Sequence, residues 1–243
     1  MELKKSNWQE VDITEFKQFE KSLKGTEQNC IFEKTVTKTN LECLGIKALT
    51  TKRVFKEIKQ GNFYEFLDNF LNQKQIKTLF ESYVCAHLIC QIKDFDVFEK
   101  YLDKFVLIVD NWASIDTLKF SRYDKTKLVE LSKKYLKSHK PFVRRTGVNI
   151  WFALIKDDSY FEMVFNMLNS LKNEEDYYVQ MSGAWLLSVC MVYNREKTLK
   201  FFELNNTNKF IINKAISKCR DSFRVSKQDK EFLLKYKIND IKN

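Results

Sequence analysis

Asp110-Asn111-Trp112-Ala113-Ser114-Ile115-Asp116 sets an indole and a carboxylate four residues apart, the spacing that brings two side chains onto one helix face. A ring and an anion on one face could touch a base or sugar and a developing positive charge together. Most such pairs are a core tryptophan beside a solvated acid. Here, however, Asp116 sits between Ile115 and Leu118, and a carboxylate at an apolar seam needs a partner or a task. Arg144 and Arg145 follow Pro141 and so fall in the first turn of a helix, where the macrodipole disfavours cations. That local cost points either to an external anion such as a phosphate, with the orphan amides of the turn as further donors, or to an ion pair with a carboxylate such as Asp116.

Two more segments carry candidates. Beyond Asp176, one helical stripe is Val179, Gly183, Leu186, Cys190 and Tyr193, and an adjacent one is Tyr178, Met181, Trp185 and Ser188. The first reads as core. The second either packs, as most aromatic stripes do, or lines a concave face with Trp185 open to stack on a sugar or base. Residues 213–226 space cations among apolar side chains. They read as an amphipathic last repeat, or as a grip on a phosphate backbone through Lys214, Arg220 or Arg224. Cys85, His87 and Cys90 come nearest to a ligand cluster, but their offsets turn His87 away from the cysteine face, so neither metal nor other cofactor is expected. There is no Gly-rich phosphate loop or nucleophile elbow, and His87 and His139 are the only histidines; Ser/His or Cys/His catalysis is not expected.

The elements that must position these side chains are helices. One proline and five glycines in 243 residues leave little turn chemistry for hairpins, and apolar stripes at helical spacing recur throughout. They predict helices over 12–24, 48–59, 62–72, 74–91, 95–108, 112–120, 124–138, 141–155, 159–172, 176–193, 195–204, 208–220 and 226–236. The polar, Thr-rich stretch from Gly25 to Leu44 reads as a long connection with room for a short helix. Helix pairs recur at roughly 35 to 40 residues, the period of stacked helical repeats. The expected fold is all-α: one domain over 1–243, with a less regular segment 1–45 and a repeat array 46–236 that stacks into a curved solenoid with a concave side. A compact bundle is the competing architecture.

Lys and Arg number 42 against 32 Asp and Glu, a formal charge of +10. This fits a polyanionic partner, although the excess of Lys over Arg also fits plain compositional habit. Six scattered cysteines without paired spacing read as free thiols in a reducing compartment. The N-terminal residues carry no apolar signal region, and no stretch has the length of a membrane span. A cytoplasmic monomer is expected.

Taken in order, Asp110-Asn111-Trp112 with Asp116, Arg144-Arg145-Thr146-Gly147, Tyr177 to Trp185, and Lys214-Ala215-Ile216 followed by Asp221-Ser222-Phe223-Arg224 resemble the HEAT-like-repeat DNA alkylation repair family, the AlkD-type alkylpurine DNA glycosylases. The similarity runs from about Leu44-Gly45-Ile46 to Arg224. The resemblance implies a right-handed α-α superhelix whose concave, basic groove holds double-stranded alkylated DNA, and excision of N3- and N7-alkylated purines without a deep lesion pocket. It assigns the family's catalytic Trp, Asp, Arg and second Trp to Trp112, Asp116, Arg145 and Trp185, with Arg144 as the alternative Arg. One departure stands out: where active members carry an Arg three residues beyond the second Trp, this chain has Ser188. A DNA-binding module without excision, and a scaffold for an acidic protein partner, are the other readings.

Overall fold

A computed structural model describes residues 1–239, and among these residues the chain is helical, with one isolated bridge between Glu42 and Thr78. It divides into two compact units, Met1–Tyr123 and a second that begins at Asp124. The first holds α1 (Glu10–Ser22), α2 (Glu27–Thr37), α3 (Ala48–Ile58), α4 (Phe63–Asn72), α5 (Leu79–Ile89), α6 (Phe95–Ile108) and α7 (Trp112–Thr117). The second holds α8 (Lys125–Leu136), α9 (Pro141–Ile150), α10 (Phe161–Ser170), α11 (Tyr177–Tyr193), α12 (Arg195–Leu204), α13 (Lys209–Asp221) and α14 (Lys227–Phe232).

Helix starts follow from local side-chain chemistry. Asn111, Asp124, Asp176, Asn194, Asn208 and Ser226 each accept a hydrogen bond from a first-turn amide, satisfying donors that the helix itself cannot pair. Pro141 opens α9 at the position where its missing N–H costs nothing. Alternate helices then stack. In the first unit α5 packs against both α3 and α7; in the second α11 packs against both α9 and α13. The two central helices are the most apolar of their units and bury nine residues each. This is the layering that a repeat array needs, since no pair covers its own apolar side.

Each unit has its own core. Around Phe16 stand Phe66, Phe70, Phe80 and Trp8, with ring centroids 5.0 to 6.3 Å away. Each fully buried ring contributes about 1.5–3 kcal/mol by leaving water. In the second unit the Ser132 hydroxyl donates to the Gly147 carbonyl at 2.8 Å and accepts from the Trp151 indole at 2.7 Å. One small polar group thereby lets a tryptophan lie fully inside.

The helices expected from periodicity are present, with differences in detail. Residues 27–37 form an 11-residue helix, which fills most of the stretch read as a long connection with a short helix as its one regular element. Its stripe buries only Thr37, so no core periodicity marks it. The helix read over 74–91 starts at Leu79, because Thr78 and Glu81 exchange side-chain and backbone hydrogen bonds in a capping box after a left-handed turn at Lys74. The helix read over 141–155 tightens into a 3-10 turn at Trp151–Ala153.

Candidate functional site

The first group of candidates rides on α7, a helix of six residues. Asn111, fully buried, accepts from the Ser114 amide at 2.8 Å, and the Ser82 hydroxyl on α5 donates to the Ser114 hydroxyl at 2.7 Å. These bonds fix the register in which Trp112 and Asp116, both half-buried, lie one turn apart. The Trp112 indole N–H donates to the Val36 carbonyl at 3.1 Å. Just upstream, Asp110 accepts from the Thr39 hydroxyl and, at 2.6 Å, from the Asn40 amide. The segment that carries Trp112 therefore also clamps the C-terminal end of α2. Asp116 lies within electrostatic reach of Tyr83: burial foremost, then the charges of Glu33, Cys43 and Asp116, pushes that phenol up to about 12. Tyr83 is thus a neutral hydroxyl that donates or accepts hydrogen bonds, never a phenolate at physiological pH.

The second group lies on α9, α11 and α13. Arg144 spends its guanidinium on a two-pronged pair with Glu174, Nε and Nη2 each 2.8 Å from a carboxylate oxygen, while Nη1 donates to the Ser138 carbonyl at 3.0 Å. The ion-pair alternative raised by the sequence therefore describes Arg144, with Glu174 as the carboxylate. Burial alone would lift the Glu174 carboxyl, yet the Arg144 fork and the Asp176 amide hold it below its ordinary value. Arg145 is only 5% exposed, and its Nη1 donates to the Tyr178 carbonyl at 2.5 Å. It ties α9 to the first turn of α11.

Trp185, 37% exposed, leans on Phe152 with centroids 4.3 Å apart, so one part of the ring is supported and another remains open. Ser188 is buried and turns its hydroxyl back to the Trp185 carbonyl at 2.7 Å. The position three residues beyond Trp185 thus holds a hydroxyl bonded back to its own helix. Lys214 is half-buried on α13, Arg220 is exposed near its end, and Arg224 is exposed with its guanidinium 5.5 Å from the centre of the Tyr193 ring.

Tyr83, Glu33 and Phe32 escaped the sequence reading. They border a pocket of about 490 Å³ formed by α2, α3, α5 and α7. With α2 unrecognised, no pattern could have grouped them. His87, on the same pocket, stacks on Phe55 at 4.5 Å, and burial foremost brings its imidazole down to about 4. Among the described residues, no three His, Cys, Asp or Glu side chains are grouped as metal ligands, and no helix is long and apolar enough to cross a membrane.

A family model described as DNA alkylation repair enzyme matches residues 13–219. The match reaches back through α1 and α2, beyond the point at Leu44 where the motif resemblance begins. No curated protein and no solved structure matches the chain.

Proposed function

The chain belongs to the DNA alkylation repair enzyme family, and from that premise we propose that it is a DNA glycosylase that releases N3- and N7-alkylated purines from duplex DNA. The observation that carries this reading is Trp112 and Asp116 held one turn apart on α7 by the Asn111 cap and the Ser82–Ser114 bond. Alkylation at N3 or N7 leaves the purine cationic, so its glycosidic bond is already weak. As that bond breaks, its electron pair goes to the base nitrogen and the base leaves neutral, while positive charge develops on the sugar. Asp116 stabilises that charge and orients a water molecule; the water oxygen bonds to C1′ and its proton passes to the carboxylate. Trp112 offers a ring face to the cationic base, a contact worth about 0.5–2 kcal/mol, and Trp185, in the second unit, offers an open ring face on which DNA can stack.

The cations divide by exposure. Arg144 is committed to Glu174, and Arg145 is nearly buried, so Arg145 acts by holding the α11 turn and by adding positive potential from beneath the surface. Lys214, Arg220 and Arg224 take the phosphates.

The test is excision. Purified protein should release 7-methylguanine or 3-methyladenine from methylated duplex DNA, and Asp116→Asn should slow release by about 10²-fold or more, the scale on which removal of one electrostatic stabiliser acts. Release by the parent protein at the spontaneous rate would end the glycosylase reading. The buried, uncharged Ser188 favours one alternative, a module that binds damaged DNA without excision; it predicts salt-sensitive binding with no base released.

A further inference from the structure

The pocket of about 490 Å³ beside α7 has the size of small-molecule sites, about 300–1,000 Å³, and admits a purine with room for water. Thr117, the residue after Asp116, lines it, and so does Tyr83, whose hydroxyl feels the Asp116 charge. The pocket therefore adjoins the helix that carries Asp116.

Its polar groups have a pattern. Glu33 and Lys52 border the same space. The Glu33 carboxyl accepts the Gly45 amide at 2.8 Å and is half-buried, and that burial above all raises its pKa. A partly desolvated carboxylate gains from any further N–H donor that arrives. At the lip stands Phe32, 66% exposed, whereas Phe16, Phe66 and Phe70 of the same unit are fully buried. A projecting ring beside a pocket is a stacking platform for a planar ligand. Guanine presents its O6 acceptor beside the N1–H and N2–H donors. A carboxylate from α2 and an ammonium from α3 in the same lining complement that edge, with Glu33 accepting from the donors and Lys52 donating to O6. Adenine presents a lone pair at N1 and an amino group in place of O6, so both partners would face the wrong polarity.

We propose that this pocket is a guanine-type nucleobase site, which retains the released 7-alkylguanine after cleavage. The ligand's identity as a product rests on the glycosylase reading; the site itself does not. Phe32 supplies the stacking face, Glu33 and Lys52 read the base edge, and Tyr83 closes the inner end.

Calorimetric titration of the full chain tests it. Free 7-methylguanine and guanine should bind at sub-millimolar Kd, and adenine about 10-fold or more weakly, because a site built on hydrogen bonds rejects a mismatched analogue. Phe32→Ala removes a ring that the core does not use, and Glu33→Gln keeps an acceptor for the Gly45 amide. Each should weaken 7-methylguanine about 10-fold. No heat at about 1 mM base, equal affinity for adenine, or unaltered binding by both variants would overturn the site. If the bases bind as expected but methylated DNA loses none, the glycosylase reading fails and the base site stands. Excision without base binding gives the converse.

Discussion

Trp112 and Trp185 carry the same ring in different settings, and the difference separates what their loss should do. Trp185 is open on one side and makes its ring contact with Phe152, so Trp185→Ala should weaken DNA binding about 10-fold at a stability cost near 1 kcal/mol. Trp112→Ala also strips the Val36 carbonyl of its donor. It should cost about 1–3 kcal/mol and, because that bond anchors α2, speed amide exchange and proteolysis within 27–37. Equal stability of the two variants would count against the clamp. A second consequence lies away from the site. Glu20 and Glu81 are both buried, and burial foremost, then the Glu81 charge, pushes Glu20 up from 4.5 to about 9. The folded state therefore keeps a proton that the unfolded chain gives up near pH 4.5. Stability from this group is complete below that pH and is lost progressively as pH rises toward 9. Glu20→Gln, which keeps the Thr78 hydroxyl bonded to a neutral side chain, should flatten the pH dependence of Tm between pH 5 and about 9. A parallel slope in both proteins would show that the pair is ionised throughout.

Among the elements, two glycines set how closely helices approach, and they should not respond alike. A methyl at Gly147 would lie 3.1 to 3.2 Å from Leu136 Cγ, the Leu136 amide and the Ser132 carbonyl, and two of those atoms are backbone that cannot yield. Gly147→Ala should lower stability by about 1–3 kcal/mol despite the gain of up to about 1 kcal/mol in helix propensity. At Gly183 the methyl meets the ends of Ile211 and Leu171, which can rotate, so Gly183→Ala should fall within about 1 kcal/mol of the parent in chemical denaturation. The same contrast between local and remote causes explains what the sequence reveals. Helices with an apolar stripe and an Asn, Asp or Ser cap, such as α11 and α13, were legible because stripe and cap lie within the segment. α2 was not, since it is fixed by Trp112 and Asp110 from more than 70 residues away and leaves Ile31, Phe32 and Val36 exposed. Likewise Trp112 and Asp116 were readable as a pair because four residues separate them. The partner of Arg144, Glu174, is 30 residues distant and could be named only from coordinates.

For the whole molecule, a formal charge of +10 makes DNA affinity a function of salt, and that dependence can tell exposed cations from buried ones. Each phosphate neutralised releases counterions, so log K should fall linearly with log salt, with a slope near −0.9 per contact. Arg220 and Arg224 are exposed, and Lys214 half-exposed; replacing any of them by Ala should make the slope shallower by about 1 while leaving Tm nearly unchanged. Arg145 is 5% exposed and bonded to the Tyr178 carbonyl. Arg145→Ala should therefore act through the fold: it should cost about 2–4 kcal/mol of stability, loosen the α11 turn below Trp185, and change the salt slope little. The two signatures exclude each other for a given residue. A shallower slope with intact stability in Arg145→Ala would return that guanidinium to the phosphate backbone. An unaltered slope in all three α13-side variants would remove this face from the DNA contact altogether and leave the positive charge as composition alone.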